Sequence, residues 1–271
     1  MLEFLLLLVL GSAVGAYGTL IGAGGGFVLV PALLLLYPHE QPTTITTISL
    51  AVVCCNAASG TLAYARQQRV DYRTGMAFAV ASAPGAVVGV FATALFQRGP
   101  FDVLLGVLLI LLALWISVRP AAEQATLAAI PGHTRRALTD ASGATYTYTF
   151  SLPLGVALSA MVGFLSSLLG IGGGIIHVPV MVQLLHIPTH VATATSHFVL
   201  AQTSLVGSAV HLFRGDYAHT LGRIVPLCLG VIAGAQVGAL LSARLQGMLI
   251  VRLLALALAV VGIRLIVGVF A

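Results

Sequence analysis

Hydrophobic positions along this chain run together into long stretches at residues 2–37, 43–65, 74–96, 101–118, 152–186, 190–213, 220–243 and 247–270. A bilayer core about 30 Å thick takes roughly 20 apolar residues to cross as a helix. Six of the stretches fit one crossing each. The first and fifth are too long for a straight crossing, and each holds a glycine cluster near its middle. The one extended polar segment, between Arg119 and Phe150, contains Glu123, His133, Arg135, Arg136 and Asp140. It reads as an extramembrane connection. The pattern predicts an all-α membrane protein of about eight transmembrane helices in two four-segment repeats, with glycine-broken first and fifth segments. The repeats are 1–118 and 151–271, joined by a polar loop over 119–150.

Composition agrees with lipid as the solvent. Hydrophobic residues make up 59% of the 271 and charged residues only 7%, with a mean hydropathy of +1.08. So few charges cannot cover a water-soluble body of this size. The formal charge of +5 comes from arginines spread singly, with no basic patch, so nucleic acid is excluded as a partner. Cys54, Cys55 and Cys228 lie in apolar segments and suggest no disulfide framework. The apolar start resembles a signal peptide but lacks a basic leader and carries Glu3, so it reads as a retained first helix.

The two halves repeat. Gly15 to Pro31 reads G-AYGTLI-GAGGG-FVLV-P, and Gly163 to Pro179 reads G-FLSSLL-GIGGG-IIHV-P. At the same offset Thr47 matches Thr195 and Arg66 matches Arg214, and Asp71-Tyr72 matches Asp216-Tyr217 after a small shift. If each long stretch crosses once, Arg66, Arg69, Arg73, Arg119, Arg135, Arg136, Arg214, Arg223 and Arg264 share a side with both termini. Arg98, Arg244 and Arg252 then lie opposite. The positive-inside rule places both termini in the cytoplasm under that condition, with the halves parallel. A helix followed by a returning half-helix would change the crossing count and invert one half.

Glycine costs about 1 kcal/mol per residue in a helix interior relative to Ala, so Gly22 with Gly24, Gly25 and Gly26, and Gly170 with Gly172, Gly173 and Gly174, should interrupt their helices. Each break frees amides at the start of the next half-helix, where the helix dipole favours an anion without any charged side chain. Paired breaks at matching positions of two repeats point to a central substrate site. Close packing of small residues is the competing explanation. Polar stripes follow the breaks: Thr46, Thr47, Ser49, Asn56 and Ser59 in the first half, and Thr195, Ser196, His197, Gln202, Thr203, Ser204 and His211 in the second. From these, Thr47, Ser49, Asn56, Thr195, Ser196, His197 and Gln202 are the candidate side-chain donors to an anion. His177, His197 and His211 fall inside apolar segments and are candidates for proton coupling. No carboxylate sits in a helix centre, which argues against a cation pathway.

The paired G-x6-G-x-GGG-x4-P segments, the Thr195-Ser196-His197-Phe198 run and the Asp-Tyr loop after it resemble the sulfite exporter TauE/SafE family over nearly the whole chain. Where the first repeat of that family often has a Gly-Thr-Ser run, this chain has Thr46-Thr47-Ile48-Ser49. The resemblance implies a carrier of sulfur-containing anions such as sulfite, sulfoacetate or thiosulfate in the bacterial inner membrane, and the paired breaks suggest alternating access around a midplane site. The expected partners are that small anion and the lipid bilayer, with room for a homo-oligomer; no cofactor and no resident metal are expected. A divalent-metal carrier using the second-half histidines is the alternative reading. An enzyme is not expected, because Ser208 and His211 share a helix face but lack the rest of a nucleophilic site.

Overall fold

Every apolar stretch becomes helix in the computed structural model, which describes residues 1–118 and 133–270. Arg119 and Glu123 of the polar connection lie outside the described residues. The first stretch divides into α1 (Leu2–Leu20) and α2 (Gly26–Leu36), and the fifth into α6 (Leu152–Leu169) and α7 (Gly174–Pro179). The rest form α3 (Pro42–Arg66), α4 (Tyr72–Thr93), α5 (Arg98–Val118), α8 (Thr189–Phe213), α9 (Leu221–Arg244) and α10 (Gly247–Phe270). Among the described residues, seven helices are long and apolar enough to cross a membrane. The chain is an all-α membrane protein.

Helix α8 is as long as α3 but is not one of the seven, because hydroxyls and histidines dilute its apolar residues. It tolerates them because other helices, and not lipid, surround it: it packs on α3 and α4, and its Thr193, Ser196, His197 and Ser204 are fully buried. The outer surface is apolar instead. Met76 and Val80 on α4, Leu111 on α5, Leu240 on α9 and Val260 on α10 are all exposed.

Both broken segments turn back on themselves. Tyr37, just past α2, donates its hydroxyl to Glu3 at the start of α1 (2.8 Å), so α2 ends where α1 began. In the second half Leu185 lies against Gly155 in the first turn of α6, and His177 contacts Ser159. With 11 residues, α2 spans only about 16 Å. The condition that each long stretch crosses once is therefore not met, and the parallel arrangement of the halves that followed from it is replaced by an antiparallel one. Helix α3 starts beside Glu40 and ends near Asp71, whereas α8 starts near Asp71, where Thr195 accepts from the Asp71 amide, and ends with His211 against Thr47. We refer to the two ends of the bundle as the Glu40 end and the Asp71 end.

Packing crosses between the halves. Helix α1 lies along α9 and α6 lies along α4, while α3 pairs with α8 and α5 with α10. Glycines let the first two pairs approach closely: Gly11 and Gly15 of α1 face Leu227 and Val231, and Gly234 and Gly238 of α9 face Ser12 and Ala16. Gly163 of α6 faces the backbone of Ser82, and Gly85 and Gly89 of α4 face Ala160 and Phe164. Small residues substitute here for the hydrophobic effect, which lipid does not supply between helices.

Proline marks local departures. Pro179 has no amide to donate, and the α-helix passes there into a π-turn over Val180–Leu184. The polar connection holds a feature the hydropathy pattern did not suggest, a hairpin of β1 (Thr134–Thr139) and β2 (Thr145–Phe150) paired antiparallel from Thr134↔Phe150 to Thr139↔Thr145. It is fastened to the α3–α4 turn by buried ionic groups. Arg69 donates to Asp140 from two nitrogens at 3.1 Å, and Tyr148 donates to Asp71 at 2.8 Å. Burial opposes the charge on Asp140, but the Ser142 hydroxyl and amide, the Arg69 guanidinium and the Ala144 amide outweigh it and hold the carboxyl down at about 2.

Overpacking of the α1–α9 contact gives a direct check. Gly234→Val places branched carbons against the Ser12 backbone and should destabilise the folded protein by about 1–3 kcal/mol. Gly222→Val, with open space around it, should not. Thermal unfolding in detergent compares the two, and equal midpoints would mean the close approach carries no weight.

Candidate functional site

The two breaks meet at the centre of the bundle. Gly24 and Gly172 both lie against Val53 of α3 and Leu200 of α8, residues near the middle of each helix. Gly26 faces the Ile171 carbonyl of the other break, and Gly174 faces Ala23 and the Gly22 carbonyl. Gly24 (φ +74°) and Gly172 (φ +80°) hold left-handed backbone that a side chain would strain. Gly25 and Gly173 are the N-cap residues of α2 and α7, also left-handed, and neither helix start has a side-chain cap. The first amides of α2 therefore begin in the middle of the bundle with no side-chain cap to accept from them.

The carbonyls freed by the breaks are satisfied across the halves. Ser49 on α3 donates to the Gly170 carbonyl (2.6 Å), and Ser196 on α8 donates to the Gly22 carbonyl (3.2 Å). Thr46 seats against Gly170 as Thr193 seats against Gly22. These matching contacts put α3 and α8 one residue out of step with the offset read from the glycine motif. Ser49 corresponds to Ser196, and the Thr47–Thr195 match of the sequence comparison does not survive. Thr47 instead reaches His211 (3.0 Å) near the Glu40 end, and Thr195 accepts the Asp71 amide at the other end.

A polar knot surrounds the first break. Asn56 donates to the Gly24 carbonyl (2.9 Å) and accepts from the Thr19 hydroxyl (3.2 Å). His197 Nε2 lies 3.2 Å from the same hydroxyl, and Tyr64 donates to the Thr19 carbonyl (2.6 Å). Thr19, Asn56 and His197 are fully buried. Gly60 leaves room for the His197 ring, and Gly207 in the corresponding place on α8 faces Leu50 and Ser167 instead. The knot is thus richer on one side of the centre.

Of the residues singled out from the sequence, Gly24, Gly25, Gly26, Gly172, Gly173, Gly174, Ser49, Asn56, Ser196 and His197 converge at this centre. Thr47 and Thr195 lie toward opposite ends, and Gln202 is half-buried on α8. His177 touches Ser159 and stacks on Phe78, and His211 lies beside Asp216. Thr19 and Tyr64 were not anticipated. Thr19 could have been found as the polar residue just before the first cluster, in the place where Ser167 precedes the second.

A bundle of apolar helices in which two opposed helical hairpins meet at a buried polar centre defines the class as a multi-pass membrane protein. The comparisons narrow this to a family. The model of the sulfite exporter TauE/SafE family matches residues 7–265, and the chain belongs to that family. The "probable membrane transporter protein YunE" of Bacillus subtilis (strain 168) is 35% identical over 275 residues, covering 98% of each chain. The "probable membrane transporter protein ORF9" of a Sinorhizobium species is 28% identical over 219 residues, covering 80% of this chain and 75% of its own. No solved structure matches the chain.

The knot should contribute to stability. Asn56→Leu leaves the Gly24 carbonyl without its side-chain donor and the Thr19 hydroxyl with His197 alone, and should cost about 1–3 kcal/mol. An unchanged unfolding midpoint for the purified variant would show that those bonds are replaceable.

Proposed function

We propose that this protein is a secondary transporter that moves a small sulfur-containing anion, such as sulfite, sulfoacetate, thiosulfate or a similar organosulfonate, across the bacterial inner membrane. The observation that carries this reading is the meeting of two half-helix starts, at Gly26 and Gly174, without side-chain caps, where α3 and α8 cross. Backbone amides at a helix start bind oxyanions without a buried countercharge. Ser49, Asn56 and Ser196 add donors around them, which the carbonyls of the breaks would release when an anion enters, and His197 adds a ring nitrogen held by the Thr19 hydroxyl. The sulfur chemistry rests on the family.

Residues 1–118 and 151–271 act in this proposal as two inverted repeats that rock about the shared centre. Val53 and Leu200 close the breaks on each other in the packed state, and separation of α3 from α8 at either end opens a path. Orientation follows from the arginines. Arg66, Arg69, Arg73, Arg135, Arg136, Arg244 and Arg252 belong to the Asp71 end, and Arg98, Arg214, Arg223 and Arg264 to the Glu40 end. The positive-inside rule then places the Asp71 end and the hairpin in the cytoplasm, with the N-terminus and the end of α10 outside. Ser142→Cys at the hairpin tip tests this: an impermeant maleimide should label it only in inverted vesicles, and labelling of intact cells would reverse the assignment.

Transport is tested by counterflow into proteoliposomes with labelled sulfite, thiosulfate and sulfoacetate. Saturable exchange of at least one, competed by its relatives, is expected. Gly173→Leu puts a side chain at φ +74° beside the Ser166 hydroxyl and should abolish exchange. Ser196→Ala leaves the backbone as it is and should slow exchange in a folded protein. Parental rates in both variants would move the site away from the breaks, and uptake of zinc with no anion flux would favour the metal carrier.

A further inference from the structure

Three histidines lie inside the bundle, and their surroundings differ in a way that separates them. His177 has Ser159 and the Phe78 ring as neighbours, and His197 has Thr19 and the edge of Tyr64. Neither has a carboxylate within bonding distance among the described residues. A proton on either ring would leave an unpaired charge in the bundle interior, which the low dielectric opposes. His211 is different. Its Nδ1 lies 2.7 Å from Asp216 Oδ2 and 3.0 Å from the Thr47 hydroxyl, and the residue is fully buried.

The charged groups facing His211 are Asp216 and Arg214, both in the turn after α8. Arg214 Nε is 3.3 Å from the same Asp216 oxygen, and its guanidinium covers the Phe91 ring of α4 at 5.5 Å. From α3 the facing group is the neutral hydroxyl of Thr47. Because a carboxylate only accepts, Nδ1 carries the hydrogen in the neutral ring, and Nε2 is left as a bare acceptor. Nε2 is buried and has no hydrogen-bond partner among the described residues. The Asp216 side chain is 19% exposed, so the Nδ1 edge of the ring reaches the surface at the Glu40 end through this carboxylate.

We propose that His211 and Asp216 form the proton-binding site that couples anion movement to protons. A hydronium ion at the Glu40 end gives up its proton and leaves as water: one N–H bond forms at Nε2, reached when the ring turns its edge toward the exposed Asp216 side, and the resulting imidazolium is neutralised by Asp216, which is drawn away from Arg214. The Nδ1–H···carboxylate bond, charge-assisted from the start, becomes an ion pair and tightens the hold of the α8 end on its turn. Thr47 carries that change to α3, where neighbouring Thr46 and Ser49 seat on the second break at Gly170. Protonation thus tightens the α3–α8 contact at the Glu40 end. A proton bound there accompanies an anion at the centre, so the loaded protein changes its access with one fewer net charge in the membrane. The transport mode is anion–proton symport.

This inference rests on the carrier reading above, and two assays keep the two apart. Counterflow exchange at equal pH needs no coupling, whereas accumulation driven by a pH gradient does. With whichever of labelled thiosulfate or sulfoacetate exchanges, the parent should concentrate the anion when the Glu40 side is made acidic. His211→Gln and Asp216→Asn should keep exchange and lose the pH-driven accumulation, together with the proton uptake reported by a lumenal pH dye. Accumulation that persists in His211→Gln, or exchange and accumulation lost together, overturns the coupling role. Absence of exchange in the parent overturns the carrier reading itself.

Discussion

Backbone polar groups at membrane depth have no water to bond, and the whole architecture follows from how the two glycine breaks meet that constraint. Unwound chain in the hydrocarbon region persists only where protein satisfies it. Here each break is covered by the crossing helix of the other half: Ser49 serves Gly170, and Ser196 serves Gly22. Asn56 adds a bond to Gly24. Because the partners of Gly170 and Gly22 lie across the halves, neither break is satisfied by its own segment alone. That requirement places α3 and α8 at the centre and pushes the more apolar α4, α5, α9 and α10 outward. It also explains why α8 is polar enough to escape a hydropathy criterion while remaining the most enclosed of the long helices alongside α3.

Much of this could be read from residues. The apolar stretches coincide with the helices to within a few positions, since the length needed to cross a bilayer is a strong constraint and few charges blur it. The breaks were equally plain, because four glycines in five positions have little other use inside a helix. Direction was not legible. Nothing in the composition of Phe27 to Leu36 says that it returns beside α1, and the evidence for that is a tertiary contact between Tyr37 and Glu3. The hairpin carried a signal in the alternation Thr145-Tyr146-Thr147-Tyr148-Thr149-Phe150, masked by the reading of the connection as loop. At the site, the serines and Asn56 stood out because they recur along a face. Thr19 and Tyr64 are isolated polar residues in apolar runs, and only folding shows that they serve one carbonyl network.

The histidines illustrate how identical residue types diverge with context. All three lie in apolar segments, and the sequence offers no way to rank them. What separates them is a second residue brought close by a turn: Asp216 for His211, with hydroxyls and rings for the others. The Asp216-Tyr217 pair had been visible as one half of a repeated motif. Its other copy, Asp71-Tyr72, has a different task, capping α4 through the Thr74 amide and anchoring Tyr148 of the hairpin. Duplicated sequence has therefore been put to unlike uses at the two ends of one molecule.

The pairing of α1 with α9 has a consequence for how the protein is made. The N-terminal helix leaves the ribosome first, yet the helix that fills its glycine-lined face is among the last to be synthesised. Until then α1 and α2 present an unwound, half-spanning hairpin with no cross-half partner for its open backbone. The bond that closes the first break from the other half therefore becomes available only once Ser196 has been made.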